Sequence, residues 1–289
     1  MKEIGMIGLG AMGRHIARNL IDGGYELTLY DVRPEAVEPF LLLGAKSAGS
    51  VQELGKVTDT VIIMVNTFDQ CCSVLEELLQ TFTGVIINLG TIAAEEARSL
   101  EETARKQGSR MIDCPVSGGT AGAQAGTLTL MAACEESLFA RYEPLLRCIG
   151  SNLVHVGDTP GQGQALKSIN QLLVGVHMCA TAEAFTLAKQ CGLDLQTMYQ
   201  VICKSAGCSE IFRNRGQFLI DRDFSTRSTL QIQLKDTNIV CKTADQVGAP
   251  VLLADTARGL FELAVRKYPP TDDSIEVVRV YEELCNTTS

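Results

Sequence analysis

The chain has 289 residues, with 34 Asp and Glu against 25 Lys and Arg, a formal net charge of −9 and a pI near 5.0. Its Lys and Arg residues never form a block longer than a few, which argues against nucleic acid as a partner. Eleven scattered cysteines, with only Cys71 and Cys72 adjacent and no C-x-x-C pair, fit reduced thiols in a cytoplasmic compartment and not a disulfide framework. His15, His155 and His177 lie far apart, so no metal centre is expected.

The first residues, "MKEIGMIGLGAMG", are broken by glycines and carry an early glutamate, which is neither a secretory leader nor a membrane span. "KEIGMIG" reads as a strand and residues 12–22 as a helix; "ELTLYD" and 34–43, "TVIIMV" and 69–80, and "GVIINLG" and 93–107 repeat the pairing. Apolar strands without polar alternation, separated by helices, predict a doubly wound α/β domain whose parallel sheet is covered on both faces. "RMIDCPV", "TLTLMAA" and "NLVHVG" extend the strand series to about residue 157, with one more helix over 135–149.

From residue 161 the character changes. Segments 161–191, 195–204, 210–219, 229–247 and 250–266 are helical in period, which predicts domains over 1–160 and 161–289 with the boundary in "GDTPGQG", residues 157–163. Within 161–191, Leu166, Ile169, Leu173, Val176, Ala180, Ala184, Leu187 and Ala188 recur every three or four residues and form the expected interior stripe. Lys167 is then out of place: either it snorkels to water, or a dry pocket needs an amine.

"IGLGAMG" places Gly8, Gly10 and Gly13 after a strand and before a helix, with Leu9, Ala11 and Met12 completing the turn. In that setting Gly8 permits the turn, Gly10 admits a pyrophosphate and Gly13 lets helix and strand pack closely. The helix N-terminus offers amides to an anion. Asp31, followed by Val32, closes the second strand and suits the ribose hydroxyls of NAD, while its charge disfavours the extra phosphate of NADP. Arg33, two residues on, pulls the other way. The competing reading of the glycines is an ordinary turn.

"DCPVSGG" ends in Ser117, Gly118 and Gly119, where unhindered amides and a hydroxyl can meet a substrate carboxylate, or where glycines merely turn the chain. Lys167, Asn170 and Gln171 stand at i, i+3 and i+4 on one helix face. If that face lines a cofactor cleft, desolvation moves the amine toward neutrality and equips it to exchange a proton with an alcohol. Otherwise it is a snorkelling lysine beside two amides.

"GLGAMG", "CPVSGG", "GAQAGTLTLM", "GQGQALKSINQ" and "LQIQLKDTNIV", in that order over nearly the whole chain, together resemble the β-hydroxyacid dehydrogenase family, whose members include 3-hydroxyisobutyrate dehydrogenase and tartronate semialdehyde reductase. The resemblance implies a Rossmann-like domain followed by an all-helical one, assembled as homodimers or homotetramers. By motif position it makes Lys167 the catalytic acid/base. Ser117, Gly118, Gly119 and Asn170 become substrate contacts, with Gln171 where many members carry a second asparagine. It places Val65 and Asn66 under the adenosine and ribose side of the cofactor, Thr91 near the nicotinamide and Lys235 near the cofactor. "MVNT" and "NLGT" depart from the family's usual residues, which weakens 3-hydroxyisobutyrate as the carried-over substrate. "QLLVGVHMCATAEAFTLA", "SAGCSEIFRNR" and "DDS" look closest to the branch that includes L-threonate dehydrogenase, acting on four-carbon sugar acids. His177, in the first of these, reads more readily as a packed helix residue than as a ligand contact. A dinucleotide sensor without turnover is the alternative from another class, and NADPH-dependent imine reduction is a second enzyme reading; Lys167 counts against both.

Overall fold

The computed structural model describes residues 3–285. The chain forms two compact units, one ending at Lys167 and one starting at Ser168. The first contains β1 (Glu3–Ile7), α1 (Gly13–Asp22), β2 (Glu26–Tyr30), α2 (Glu38–Leu41), β3 (Lys46–Ser47), α3 (Val51–Val57), β4 (Thr60–Ile63) and α4 (Phe68–Leu78). It continues with β5 (Val85–Asn88), α5 (Ala94–Lys106), β6 (Arg110–Asp113), β7 (Val116–Ser117), α6 (Gly119–Ala125), β8 (Thr129–Ala133), α7 (Glu136–Ile149) and β9 (Asn152–Gly157).

These strands form one sheet in the order β3-β2-β1-β4-β5-β6-β8-β7, with β9 paired to β8. Period-two geometry explains why the strands lack polar alternation: Ile4, Met6, Leu27, Leu29, Ile62 and Ile87 pack into the core on one face. Their neighbours Ile7, Val61, Ile63, Ile86 and Met111 pack into the core on the other. Each such buried aliphatic side chain contributes about 1.5–3 kcal/mol. Strand order reverses about β1, between β2 and β4, and that switch point is where ligands enter open α/β sheets.

The sheet is parallel from β3 through β6 but not throughout: β6 and β7 both run antiparallel to β8. The expected single strand "RMIDCPV" breaks at Cys114 and Pro115, since proline has no N–H to continue a ladder; its carbonyl instead accepts from the Met131 amide. Two elements absent from the sequence prediction have legible causes. Helix α3 starts on Ser50, which accepts from the Glu53 amide, a cap present in "SVQE". Helix α6 lies within the glycine-rich stretch read as a loop, between Gly118 at φ +130° and Gly126 at φ +67°.

Helix α8 (Gln162–Gln190) starts in the first unit and continues into the second, so the compact units part inside a helix and not in the "GDTPGQG" turn. The second unit adds α9 (Leu195–Ile202), α10 (Glu210–Asp221), α11 (Leu230–Val247), α12 (Leu252–Lys267) and α13 (Val278–Leu284), the last not foreseen from sequence. Its core joins Met178, Ala182 and Phe185 of α8 to Phe212, Leu230, Phe261 and Ile275. Gly175 allows α11 its close approach: a Cβ there would lie 2.8 Å from Thr237 Cγ2.

The orientation of α8 reverses the sequence expectation in part: Ala188 is buried and Val176 and Ala184 are half-buried, as expected, but the other five positions are not. Leu166, Ile169, Leu173, Ala180 and Leu187, taken as interior, are exposed, Ile169 by 60%. Gln164, Lys167, Ser168, Gln171, Gly175 and Met178 form the buried stripe. Periodicity locates an apolar face but not what covers it. Gln164 and Gln171 lie inside because hydrogen-bond partners meet them there, as described below. By length and composition α8 is apolar enough to cross a membrane; half of its apolar window is buried within the chain itself, as in a core helix.

Candidate active site

The glycine turn joins β1 to α1 next to the end of β2. Gly8 has φ +95°, and its amide donates to the Tyr30 carbonyl at 3.0 Å. A Cβ on Gly8 would run into the Met64 carbonyl, and one on Gly13 into the Gly8 carbonyl. Gly10 differs: nothing lies within 4 Å of the position a Cβ would take. No side chain caps the start of α1. An open glycine before an uncapped helix end is the cradle a pyrophosphate needs, so these residues fit a dinucleotide.

Asp31 is held from three directions. One carboxylate oxygen accepts from the Leu9 amide at 2.7 Å, the other from the Arg33 amide at 2.9 Å and Arg33 Nε at 3.3 Å. Burial pushes the Asp31 carboxyl up, but these hydrogen bonds and the Arg33 guanidinium together hold it below its ordinary range. Arg33 is thereby drawn onto Asp31. Leu9, expected among the cofactor contacts, buries its side chain in the core and gives its amide to Asp31. Ala11, Val32 and Asn66 are exposed, Val32 by 83%, and Met12 and Val65 are half-buried.

Ser117 ends β7, opposite Thr129. Gly118 packs against Leu128, with 3.0 Å between the position of a Cβ and Leu128 Cδ2, whereas Gly119, at φ +62°, faces open space. The two glycines therefore differ: the first shapes the turn and the second leaves room.

The start of α8 is anchored to the sheet by a carboxylate. Asp113, at the end of β6 and fully buried, accepts from the Gly161 amide at 2.8 Å and the Gln164 amide at 3.2 Å. Burial raises its pKa to about 6, with the hydrogen bonds from Gly161, Gln164 and Gly163 opposing. Lys167 lies one turn further along α8 and is 6% exposed. Sequence patterns gave no role to Asp113 or Gln164; an acid closing an apolar strand, as in "MIDC", was the available signal.

In the second unit, Asn170 Nδ2 donates to Gln171 Oε1 at 2.8 Å, and Gln171 Nε2 donates to Asp236 Oδ2 at 2.6 Å. Lys235 pairs with Asp236 at 3.0 Å. Both ends of the Gln171 amide are thus engaged within the protein, where the sequence suggested a substrate contact. A carboxylate only accepts, so Asp236 fixes which way the Gln171 and Asn170 amides face. His177 is half-buried, and its carbonyl accepts from the Thr181 hydroxyl at 2.7 Å. Among the described residues no cluster of His, Cys, Asp and Glu is arranged to hold a metal ion.

Comparison with known proteins agrees with this geometry. The family profile for the NAD-binding domain of 6-phosphogluconate dehydrogenase matches residues 3–157, and that for the NAD-binding region of NADP-dependent 3-hydroxyisobutyrate dehydrogenase matches residues 161–281. An L-threonate dehydrogenase from Pectobacterium atrosepticum is 32% identical, over 97% of this chain and 94% of that protein. An NAD-dependent L-serine dehydrogenase from Pseudomonas aeruginosa is 31% identical, over 95% and 96% respectively. The crystal structure of a 3-hydroxyisobutyrate dehydrogenase from Salmonella typhimurium superposes with a TM-score of 0.89 at 34% identity, covering 97% of this chain and 100% of that one. With both halves matched in order and the fold shared from end to end, the chain belongs to the NAD-dependent hydroxyacid dehydrogenases related to 3-hydroxyisobutyrate dehydrogenase.

Proposed function

We propose that this enzyme oxidises a small polyhydroxy acid, a four-carbon sugar acid of the L-threonate type foremost, with Lys167 exchanging the hydroxyl proton. The observation that carries the reading is the buried amine. Lys167 lies on the inner side of a helix whose outer side bears leucine and isoleucine, an arrangement that packing alone would reverse. A buried amine set beside the hydroxyl of a bound substrate is placed to exchange a proton with it.

The remaining roles extend this reading to cofactor and substrate. Gly10 and the open end of α1 receive the pyrophosphate, Asp31 meets the adenosine ribose and the exposed Val32 covers the adenosine. NAD, when bound, supplies the hydride acceptor. Ser117 and Gly119 hold the substrate carboxylate. Asn170, its amide oriented through Gln171 and Asp236, steadies the substrate near the lysine. Thr91 serves the nicotinamide side, and Lys235 stands near the cofactor. Several full-length relatives carry the name L-threonate dehydrogenase, which supports the sugar acid over 3-hydroxyisobutyrate.

The test is nicotinamide absorbance with NAD and NADP against L-threonate, D-threonate, the erythronates, D-glycerate, L-serine and 3-hydroxyisobutyrate, in wild type and Lys167→Ala. The expected result is NAD-linked turnover of a sugar acid that is lost in the variant while NAD still binds; full activity of Lys167→Ala refutes the role of the lysine. The exposed stripe of Leu166, Ile169 and Leu173 further supports a homodimer or homotetramer that covers it. Light scattering that finds a monomer at micromolar concentration would exclude that assembly.

A further inference from the structure

Two buried side chains outside these roles connect the segments that carry them. Gln164 is fully buried in the first turn of α8, three residues before Lys167 and on the same side of the helix. Its Nε2 donates to Asp113 Oδ1 at 2.8 Å and to the Gly90 carbonyl at 2.9 Å, and its Oε1 accepts from the Ile92 amide at 3.1 Å. The residue clasped between those two backbone contacts is Thr91. The Asp113 carboxylate meanwhile holds the Gly161 and Gln164 amides through its other oxygen.

The geometry points to Asp113 and Gln164 as a pair of positioning residues that lock the Gly90–Thr91–Ile92 segment and the Lys167 turn of α8 into one rigid piece. This rests on the proposed roles of Lys167 and Thr91. The amide is suited to the task because it is both donor and acceptor. Asp113 can only accept, so Gln164 must turn Nε2 toward it, and Oε1 is then left for the Ile92 amide. The amide orientation is therefore single-valued, and both active segments take their register from it. Backbone fit reinforces the clasp: a Cβ on Gly163 would lie 3.0 Å from Asp113 Oδ2, and Gly161 holds φ +95° beside it. Chain separation makes the link invisible in sequence, since Gln164 reaches back across more than 70 residues to Gly90.

Hydrogen exchange of the cofactor-free chain, read by mass spectrometry on peptides spanning 88–93 and 160–168, tests the coupling without turnover. Gln164→Met keeps the reach of the side chain and removes its amide; Gln164→Asn keeps the amide but draws it back by about 1.5 Å. In either variant both peptides are expected to exchange at least ten-fold faster, while a peptide from α3 stays protected. Faster exchange confined to 160–168, or in neither peptide, overturns the proposal, as does global loss of protection in both variants. In steady state, on the hydroxy acid that wild type turns over, kcat falls about 100-fold for a displacement near 1 Å. The NAD dissociation constant, read by fluorescence, stays within two-fold of wild type. Unchanged kcat overturns the positioning role. Full turnover in Lys167→Ala would instead remove the lysine assignment and leave the exchange result standing.

Discussion

Replacing Gly163 by alanine probes the anchorage of α8 with a single methyl group. The added Cβ would fall inside 3.0 Å of the Met131 carbonyl oxygen and at 3.0 Å from both the carbonyl oxygen and Oδ2 of Asp113, roughly 1 Å short of ordinary contact at the closest atom. Neither strand can yield cheaply: β8 is paired with β7 and β9, and β6 with β5. The helix start must therefore move. Overpacking of this kind costs about 1–3 kcal/mol, and against rigid backbone the upper end applies. Alanine recovers about 1 kcal/mol of helix propensity, which leaves a net loss of about 2 kcal/mol and a melting temperature lower by roughly 4 °C. Activity suffers more than stability, because Lys167 moves with the turn: kcat is expected to drop about 100-fold. Gly259→Ala in α12 is the control. No atom lies within 4 Å of that Cβ position, so the same chemical change there should stabilise by up to about 1 kcal/mol and leave turnover intact. Thermal melts and initial rates of the two variants decide the matter. A Gly163→Ala enzyme that melts and turns over like wild type would refute the anchoring of α8 through this contact.

The glycine turn permits a similar contrast. Gly10→Ala should leave the melting temperature of the cofactor-free chain within about 1 °C, since its Cβ enters open space, yet weaken NAD by ten-fold or more; Gly13→Ala, whose Cβ meets the Gly8 carbonyl, should destabilise the fold before any cofactor is added. Calorimetry with and without NAD separates them, and identical behaviour of the two would contradict the division of roles. Asp113 should make stability depend on pH in an unusual direction. Its folded pKa of about 6 lies above the usual value of 3.8, so its contribution is complete below about pH 4 and is lost as pH rises through about 6. Asp113→Asn should therefore destabilise more in acid, by about 2 kcal/mol near pH 4.5 relative to pH 7.5. Chemical denaturation at the two pH values measures this, and a pH-independent difference would argue against it.

Much of the α/β unit was readable because its signals are local. Strands such as "TVIIMV" and the glycine turn of "IGLGAMG" declare themselves within a few residues, since φ freedom, apolar runs and helix starts are properties of short segments. The position of Asp31 just after β2 was legible for the same reason. The "SVQE" cap of α3 was equally local and went unread, whereas α6 was masked by glycines that ordinarily argue against a helix.

Which face of α8 is buried was not legible in this way. Spacing correctly identified a long helix with an apolar stripe, but it placed Leu166, Ile169 and Leu173 inside and left Lys167 as the anomaly. The lysine stripe is the buried one, and on it Gln171 is hydrogen-bonded to Asn170 and Asp236.

The amino-acid sequence by itself determined the order of strands and helices, the dinucleotide turn and the residue types available for proton exchange, because these depend on neighbours along the chain. Only the tertiary structure decided which face of α8 is buried and that Asp113 and Gln164 bind its first turn to the segment around Thr91. Burial of a polar side chain is favourable only when partners meet it, and here those of Gln164 and Gln171 come from the end of β6, the segment after β5 and α11, 51 to 74 residues away.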